Sequence, residues 1–117
     1  MTNEDVARAI SGHRFEAAFD RLADDVVWNL VGEAGLDGKA AVVDACRGTA
    51  SELKDVITTW LRFVSTGDGD VVAVDAIGRY EATDGVTAVS SCDIYEFVDG
   101  RVSAITSYTV EIEPENP

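Results

Sequence analysis

The second half of the chain alternates apolar and polar residues with the period of two that is typical of half-buried β-strands. Four segments of this kind are separated only by the short turn sequences TGDG, TDG and DG. They cover residues 55–65, 70–82, 87–98 and 101–112. Because each connection is short, we expect consecutive strands to pair as an antiparallel meander.

The first half repeats apolar residues at spacings of three and four, as amphipathic helices do. We predict helices over residues 2–12, 13–22 and 39–53, a short strand over residues 26–31 and a loop over residues 35–38. Thr2 and Asp5 have the spacing of a capping box, and Gly12 ends the first helix. Helices followed by an antiparallel sheet indicate an α+β fold with the helices on one sheet face.

Composition narrows the possible partners. The chain has 117 residues, 46% of them apolar, and a formal net charge of −13. We interpret residues 1–113 as a single domain and residues 114–117 as a flexible tail. The negative charge argues against nucleic acid or an anionic membrane as partner. Without a targeting sequence or an apolar run of membrane-spanning length, we expect a cytoplasmic protein.

The sequence gives little indication of a metal site or a cofactor site. Cys46 and Cys92 lack a paired spacing, and we interpret them as small buried apolar residues. His13 is the only histidine, and we interpret it as a solvated residue between two helices rather than a catalytic base. We therefore predict neither a metal site nor a cofactor.

A carboxylate stands out on the third predicted strand. Asp93 shares a strand face with Val89, Tyr95 and Phe97, where an ordinary core would have an apolar residue. A two-residue turn at residues 99–100 closes the last hairpin. That register places Asp93 opposite Thr106 and Ser91 opposite Tyr108. Asp93 is therefore the best candidate for chemistry.

The preceding hairpin fixes which face of its strands points inward. A two-residue turn at Asp84-Gly85 places Ala76 opposite Asp93, so that small residues border the carboxylate. Asp75, Arg79 and Glu81 then point outward on the other face. A slip of one residue would bury these three charged side chains together, so we favour the first register.

The succession LADDVVWNLVG, GKAAVVDAC, STGDGDVVAVDAIGRYEATDG and CDIYEFVDGRVSAITSY resembles the nuclear transport factor two-like superfamily. This superfamily includes ketosteroid isomerase, limonene epoxide hydrolase and the SnoaL-like polyketide cyclases. The resemblance implies a cone-shaped curved antiparallel sheet packed on N-terminal helices, an apolar pocket between them and frequent dimerisation. The scaffold also hosts proteins that only bind.

Only one of the isomerase's functional residues has a chemical equivalent at the matching position of this chain. Asp93 matches the protonated Asp of the isomerase, which donates a hydrogen bond to the developing oxyanion. The isomerase's general base and its tyrosine fall at Leu30 and Val6, which cannot replace them. What remains resembles the SnoaL-like cyclases, in which one carboxylate works as acid and base.

Epoxide hydrolysis is not supported by the same comparison. The hydrolase's Arg and two Asp fall at Ala76, Gly78 and Val110. Its Asn and Tyr fall at Leu30 and Trp28. Hydrolysis of this kind would need an arginine and two carboxylates inside the sheet, which requires the register slip described above.

Two functions stay open. In the first, an apolar wall raises the pKa of Asp93, which acts as a single acid/base in isomerisation, aldol-type cyclisation or dehydration of an apolar, carbonyl-bearing molecule. In the second, the chain is a non-catalytic small-ligand-binding or dimerisation module, and Asp93 orients a ligand or only satisfies the fold. The predicted ligand-binding residues are Trp28, Leu30, Tyr80, Ser91, Tyr95, Thr106 and Tyr108.

The outer sheet face suggests self-association. Ile77, Ile94 and Ile105 lie among polar residues on the predicted outer face. An exposed apolar patch of this kind is typical of an interface. We therefore expect a homodimer that pairs through the outer sheet face.

Overall fold

A computed structural model describes residues 1–115 as two helices, one 3₁₀ helix and a six-stranded sheet. The elements in chain order are α1 (Asn3–Ser11), the 3₁₀ helix (Phe15–Arg21), β1 (Leu22–Leu30), β2 (Leu36–Asp37), α2 (Lys39–Leu53), β3 (Ile57–Thr66), β4 (Val71–Ala82), β5 (Gly85–Val98) and β6 (Arg101–Ile112). Part of the predicted tail, residues 116–117, lies outside the described residues.

The sheet is mixed, curved and unclosed, with strand order β2-β1-β6-β5-β4-β3. Strands β3 to β6 form the predicted antiparallel meander. Strand β1 departs from the purely antiparallel prediction, because it runs parallel to β6 and lies between β2 and β6 in the sheet. The elements from β2 to β5, with helix α2 among them, form the long connection that parallel pairing of β1 with β6 needs. The predicted α+β fold is confirmed.

The helices begin and end close to the predicted positions. Thr2 and Asp5 form the predicted capping box, with the Asp5 amide donating to Thr2 Oγ1 at 3.0 Å. Helix α2 matches the prediction, whereas the predicted second helix is a 3₁₀ turn. The predicted loop at residues 35–38 contains β2, which pairs with β1.

The apolar core lies between the helices and the concave face of the sheet. It contains Val6, Ala7, Ile10, Phe15, Leu22, Val26, Val42, Val72, Val74, Tyr95, Phe97, Val102 and Ile105. Arg21 connects the N-terminal residues with the β5–β6 turn through hydrogen bonds. Its guanidinium donates to the carbonyl of Gly100 at 2.6 Å, to that of Met1 at 2.8 Å and to Asn3 Oδ1 at 3.0 Å.

A β-bulge changes the register of the last hairpin. Phe97 lies opposite Val102, as predicted from the Asp-Gly turn, but Glu96 lies opposite Ala104. Ser103 is therefore the extra residue, and beyond it every β6 side chain changes face. Asp93 lies opposite Ser107 instead of Thr106, and Ser91 lies opposite Thr109 instead of Tyr108.

The hairpin between β4 and β5 differs from the prediction by two residues. Ala82 pairs with Gly85, so the turn residues are Thr83 and Asp84 and not Asp84-Gly85. Val74 therefore lies opposite Asp93, where Ala76 was predicted. Because a shift of two preserves the alternation of faces, the predicted inner and outer sets of β4 stay as they were.

The outer sheet face carries the charged residues of β4. Arg62 and Asp75 form an ion pair of 2.8 Å, and Arg79 lies 3.8 Å from Glu81, all at least one-third exposed. Ile105 was predicted on this face, but the bulge turns it into the core, where it is fully buried. Within residues 1–115, none of the helices has the length and apolar character needed to cross a membrane.

Candidate active site

A chamber of about 320 Å³ lies between the concave sheet face and the helices. Its wall combines aromatic and aliphatic side chains from the helices and strand β1 with hydroxyl groups from β5 and β6. Lining residues include Ile10, Ser11, His13, Phe15, Trp28, Leu30, Leu36, Thr49, Trp60, Tyr80, Val89, Ser91, Asp93, Tyr95, Ser107 and Thr109. Asp93 is the only carboxylate on this wall among the described residues.

Two serines hold the carboxylate of Asp93. Ser107 Oγ donates to Oδ1 at 2.6 Å, and Ser11 Oγ donates to Oδ2 at 2.7 Å. Both serines are buried, whereas Asp93 is half-buried and lines the chamber. Each carboxylate oxygen can accept more than one hydrogen bond, so the serines leave acceptor capacity for a ligand.

The wider network fixes the direction of these hydrogen bonds. The indole N–H of Trp28, which can only donate, donates to Ser107 Oγ at 2.9 Å. Tyr95 Oη lies 2.7 Å from Ser11 Oγ. Because Ser11 gives its single proton to Asp93, Tyr95 must donate to Ser11. Both ends of the network thus point their protons towards Asp93.

Tyr95 supports this direction. Its side chain is fully buried, and burial, with the negative charge of Asp93 as a second cause, raises the pKa of the phenol well above its usual value. The Tyr95 hydroxyl therefore keeps its proton and remains a donor. The apolar wall that was expected around Asp93 is interrupted on the side of its carboxylate, because the direct partners there are the hydroxyl groups of Ser11 and Ser107.

The structure brings most of the predicted ligand-binding residues to one chamber. Trp28, Leu30, Tyr80, Ser91 and Tyr95 line it together with Asp93. Thr106 and Tyr108 do not, because the bulge at Ser103 turns them to the outer face, where Tyr108 is half exposed. Ser107 and Thr109 occupy the chamber wall in their place.

Ser11 and His13 were missed as chamber residues. Ser11 lies at the end of the predicted first helix and His13 directly follows that helix, and His13 was interpreted as solvated. In the structure His13 is half-buried, with its ring centroid 5.1 Å from that of Trp60 and 5.6 Å from that of Phe15. The signal was the apolar stripe of α1, because a residue one turn beyond Ala7 on that stripe also faces the core.

The phenol ring of Tyr80 packs against Gly78 on the same strand. A Cβ at Gly78 would lie 2.6 Å from Tyr80 Oη, so only glycine leaves room for the phenol ring in this position. His13 and Tyr80 also line a second, more open cavity of about 560 Å³, which extends from the chamber towards the β4–β5 turn. Together with Thr49 and Val89 they line both cavities.

Ser107 provides a prediction about stability. Replacement of Ser107 by Ala leaves the Trp28 N–H and one Asp93 oxygen without their partner, and we expect the free energy of unfolding to fall by about 2 kcal/mol. Ser91→Ala is the matched control, since Ser91 lines the same chamber and is not among the hydrogen-bond partners of Asp93. Urea denaturation of the two variants measures the difference. Equal stabilities would contradict the network.

The chain matches a known domain family over most of its length. The SnoaL-like domain matches residues 4–105, which is most of the chain. The chain belongs to the SnoaL-like domain family. This SnoaL-like protein is thereby a member of the nuclear transport factor two-like superfamily, as the sequence resemblance implied. No curated protein matches its sequence significantly.

Solved structures agree with this assignment. The SnoaL-like chain is 28% identical to an NTF2-like protein of unknown function from Cytophaga hutchinsonii, with a TM-score of 0.74 over 92% of this chain and 98% of the other. A protein from Xanthomonas campestris proposed to be a polyketide cyclase is 16% identical, with a TM-score of 0.67 over 92% of both chains. An epoxide hydrolase from M. tuberculosis is 18% identical, with a TM-score of 0.67 over 92% and 82%. At these identities the last two show the shared fold.

Proposed function

We propose that this SnoaL-like protein is a cofactor-independent enzyme in which Asp93 acts as a general base on a carbon acid. The observation that carries the proposal is a carboxylate on the wall of a chamber, with both oxygens fixed by buried serine hydroxyls. Such fixing holds a base in one orientation towards a substrate without consuming its remaining acceptor capacity.

The proposed step begins with a substrate carbonyl whose neighbouring carbon carries a proton. Asp93 takes that proton, and the electron pair of the C–H bond becomes the C=C bond of an enolate while the carbonyl π electrons move to oxygen. Where a C=C bond is conjugated with the enolate, return of the proton from Asp93 to the far carbon of that bond gives an isomer. Where the enolate carbon instead attacks a second carbonyl, a C–C bond closes an aldol-type ring, and the alkoxide formed takes the proton back from Asp93. Loss of that hydroxyl group with a proton from the neighbouring carbon, as water, gives the dehydrated product.

The chamber favours a flat, mostly apolar substrate that carries oxygen atoms. Phe15, Trp28 and Trp60 supply broad aromatic surfaces. Ser91 and Thr109, paired across β5 and β6, supply hydroxyl groups beside Asp93. An aromatic or polycyclic ketone combines both properties.

The names of the similar structures suggest two reactions, cyclisation and epoxide hydrolysis. The residues of the site are suited to the first of them. Cyclisation, suggested by the proposed polyketide cyclase, needs only a base and a chamber. Epoxide hydrolysis would need an inward arginine with two carboxylates, whereas Arg62 and Arg79 lie on the outer face in pairs with Asp75 and Glu81. We therefore favour enolate chemistry.

Deuterium exchange into 2-tetralone tests the proposal. This bicyclic ketone has acidic protons next to its carbonyl, and an enolising base replaces them with deuterium in D₂O, which NMR follows directly. We expect the wild-type protein to accelerate the exchange and Asp93→Asn to lose the acceleration. No acceleration by the wild-type protein would overturn the proposed function.

A binding module is the second candidate, and tryptophan fluorescence separates it from the enzyme. Both tryptophans of the chain, Trp28 and Trp60, line the chamber, so a ligand inside it should change their emission. A fluorescence change on addition of 2-tetralone without catalysed exchange would favour the binding module.

We also propose that the chain forms a homodimer through its outer sheet face. Tyr108 is 50% exposed and Val110 is 61% exposed on this face, on the strand that pairs with β5, which carries Ile94. We expect size-exclusion elution at twice the 12.5 kDa mass of the chain. Tyr108→Lys should shift elution towards the monomer, whereas Val98→Lys, at an exposed hairpin end, should not. Monomeric wild-type protein would remove this interface.

A further inference from the structure

His13 occupies a junction between the cavities of the protein. It follows Gly12 at the end of α1, and its backbone has a φ of +65°, an uncommon conformation for a residue with a side chain. The imidazole lies among Phe15, Trp60 and Tyr80, with ring centroids 5.6, 5.1 and 6.0 Å away. It lines the Asp93 chamber, the more open cavity beside it and two further clefts. The ring thus borders all four of these cavities.

This position determines the charge of the imidazole. Burial lowers the pKa of His13 below its usual 6.5, and the negative charge of Asp93 opposes that effect only in part. Further titratable or charged groups line the same cavities, namely Arg14, Glu16, Cys46, Arg47, Glu52, Lys54, Tyr80, Asp84 and Tyr95. Near neutral pH the ring is uncharged, with one nitrogen as a hydrogen-bond donor and the other as an acceptor.

We propose that His13 is a second catalytic residue, whose neutral imidazole donates a hydrogen bond to the substrate carbonyl oxygen while Asp93 removes the proton from the adjacent carbon. This inference rests on the proposed function. The C–H proton passes to Asp93, the negative charge develops on the carbonyl oxygen, and the His13 N–H stabilises that charge without transferring its proton. A neutral donor suits this role because it stabilises the negative charge on the carbonyl oxygen as that charge forms.

The first test needs no turnover. Because the chain contains one histidine, its ring proton gives one unambiguous NMR signal. We expect His13 to titrate below pH 6.5, and to titrate at still lower pH in Asp93→Asn, where the stabilising negative charge is gone. Asp75→Asn, on the outer face, is the control and should leave the titration unchanged. A wild-type titration at or above 6.5, or one that Asp93→Asn does not alter, overturns the proposal.

The second test uses the exchange of deuterium into 2-tetralone. His13→Phe keeps an aromatic ring between Phe15 and Trp60 but removes the donor, and we expect kcat to fall by about 100-fold. His13→Gln keeps a neutral hydrogen-bond donor, so its kcat should stay within about tenfold of the wild-type value. A purely structural role of His13 would not predict this rescue. Tyr80→Phe is the control for the neighbouring hydroxyl.

The outcomes separate this inference from the proposed function. Exchange that depends on Asp93 but is unchanged in His13→Phe overturns the role of His13 and leaves the proposed function in place. If Tyr80→Phe loses as much catalysed exchange as His13→Phe, His13 has no special role, and the proposed role of His13 is overturned as well. Exchange that is no faster with wild-type protein than without it overturns the proposed function itself.

Discussion

Replacement of Gly67 by alanine should destabilise the protein by about 3 to 4 kcal/mol, one of the largest effects expected of a single methyl group in this fold. Gly67 begins the turn between β3 and β4 and has a φ of +132°, which side-chain-bearing residues rarely adopt. An added Cβ would also collide with the backbone of Val71 and Val72, the nearest heavy atom being Val71 O. Backbone atoms at the start of a paired strand cannot move aside without breaking the hairpin.

Gly69 in the same turn provides the matched control. Its φ of +78° is also in the left-handed region, but a Cβ there meets nothing within 4 Å. Gly69→Ala should therefore cost only about 1 to 2 kcal/mol, the penalty of the backbone conformation alone. Urea denaturation of both variants separates conformation from collision. Similar losses in the two variants would contradict the close approach at Gly67.

The sequence predicted the strands well because alternation and turn residues are local signals. The Asp99-Gly100 turn forms as predicted, with positive φ at both residues, and it sets the register of the hairpin where the strands begin. What alternation cannot reveal is an extra residue inside a strand. Ser103 is polar and fits either face of the pattern, so the bulge and the change of face beyond it were not predictable from periodicity.

The same bulge explains which parts of the site were predicted. The bulge does not change the face of Asp93, because the alternation of its own strand determines that face. Asp93 therefore lies in the chamber, as predicted. Ser107 and Tyr108 exchanged roles because they follow the bulge on β6. Ser11 reaches Asp93 from 82 residues away in the sequence, and contacts between such distant segments depend on how the helix docks on the sheet.

The dimer prediction changes for the same reason. With Ile105 in the core, the outer face loses one of its three predicted isoleucines and gains Tyr108 and Val110. The face therefore remains partly apolar although its residues differ from those predicted. A tyrosine is among the residue types most often central to binding energy at interfaces, which is why Tyr108 is the position chosen for substitution.

Replacement of Asp93 by asparagine should reduce catalysed exchange into 2-tetralone by about 10²- to 10⁴-fold, the range that a positioned general base contributes. Asparagine has nearly the same shape but cannot accept a proton at this step. One of its two terminal groups is an NH₂ donor, which would face a serine hydroxyl that already donates in the wild-type network. We therefore also expect a stability loss of about 1 to 3 kcal/mol, measured separately by urea denaturation.

Asp75→Asn is the matched control for this substitution. It makes the same chemical change on the neighbouring strand β4, but on the outer face, where Asp75 is half exposed and paired with Arg62. Exposed ion pairs of this kind contribute at most about 1 kcal/mol, so both the exchange rate and the stability should remain near those of the wild type. If Asp93→Asn and Asp75→Asn reduced exchange equally, the effect would come from lost negative charge in general. A selective loss at Asp93 instead requires the carboxylate inside the chamber to be the base.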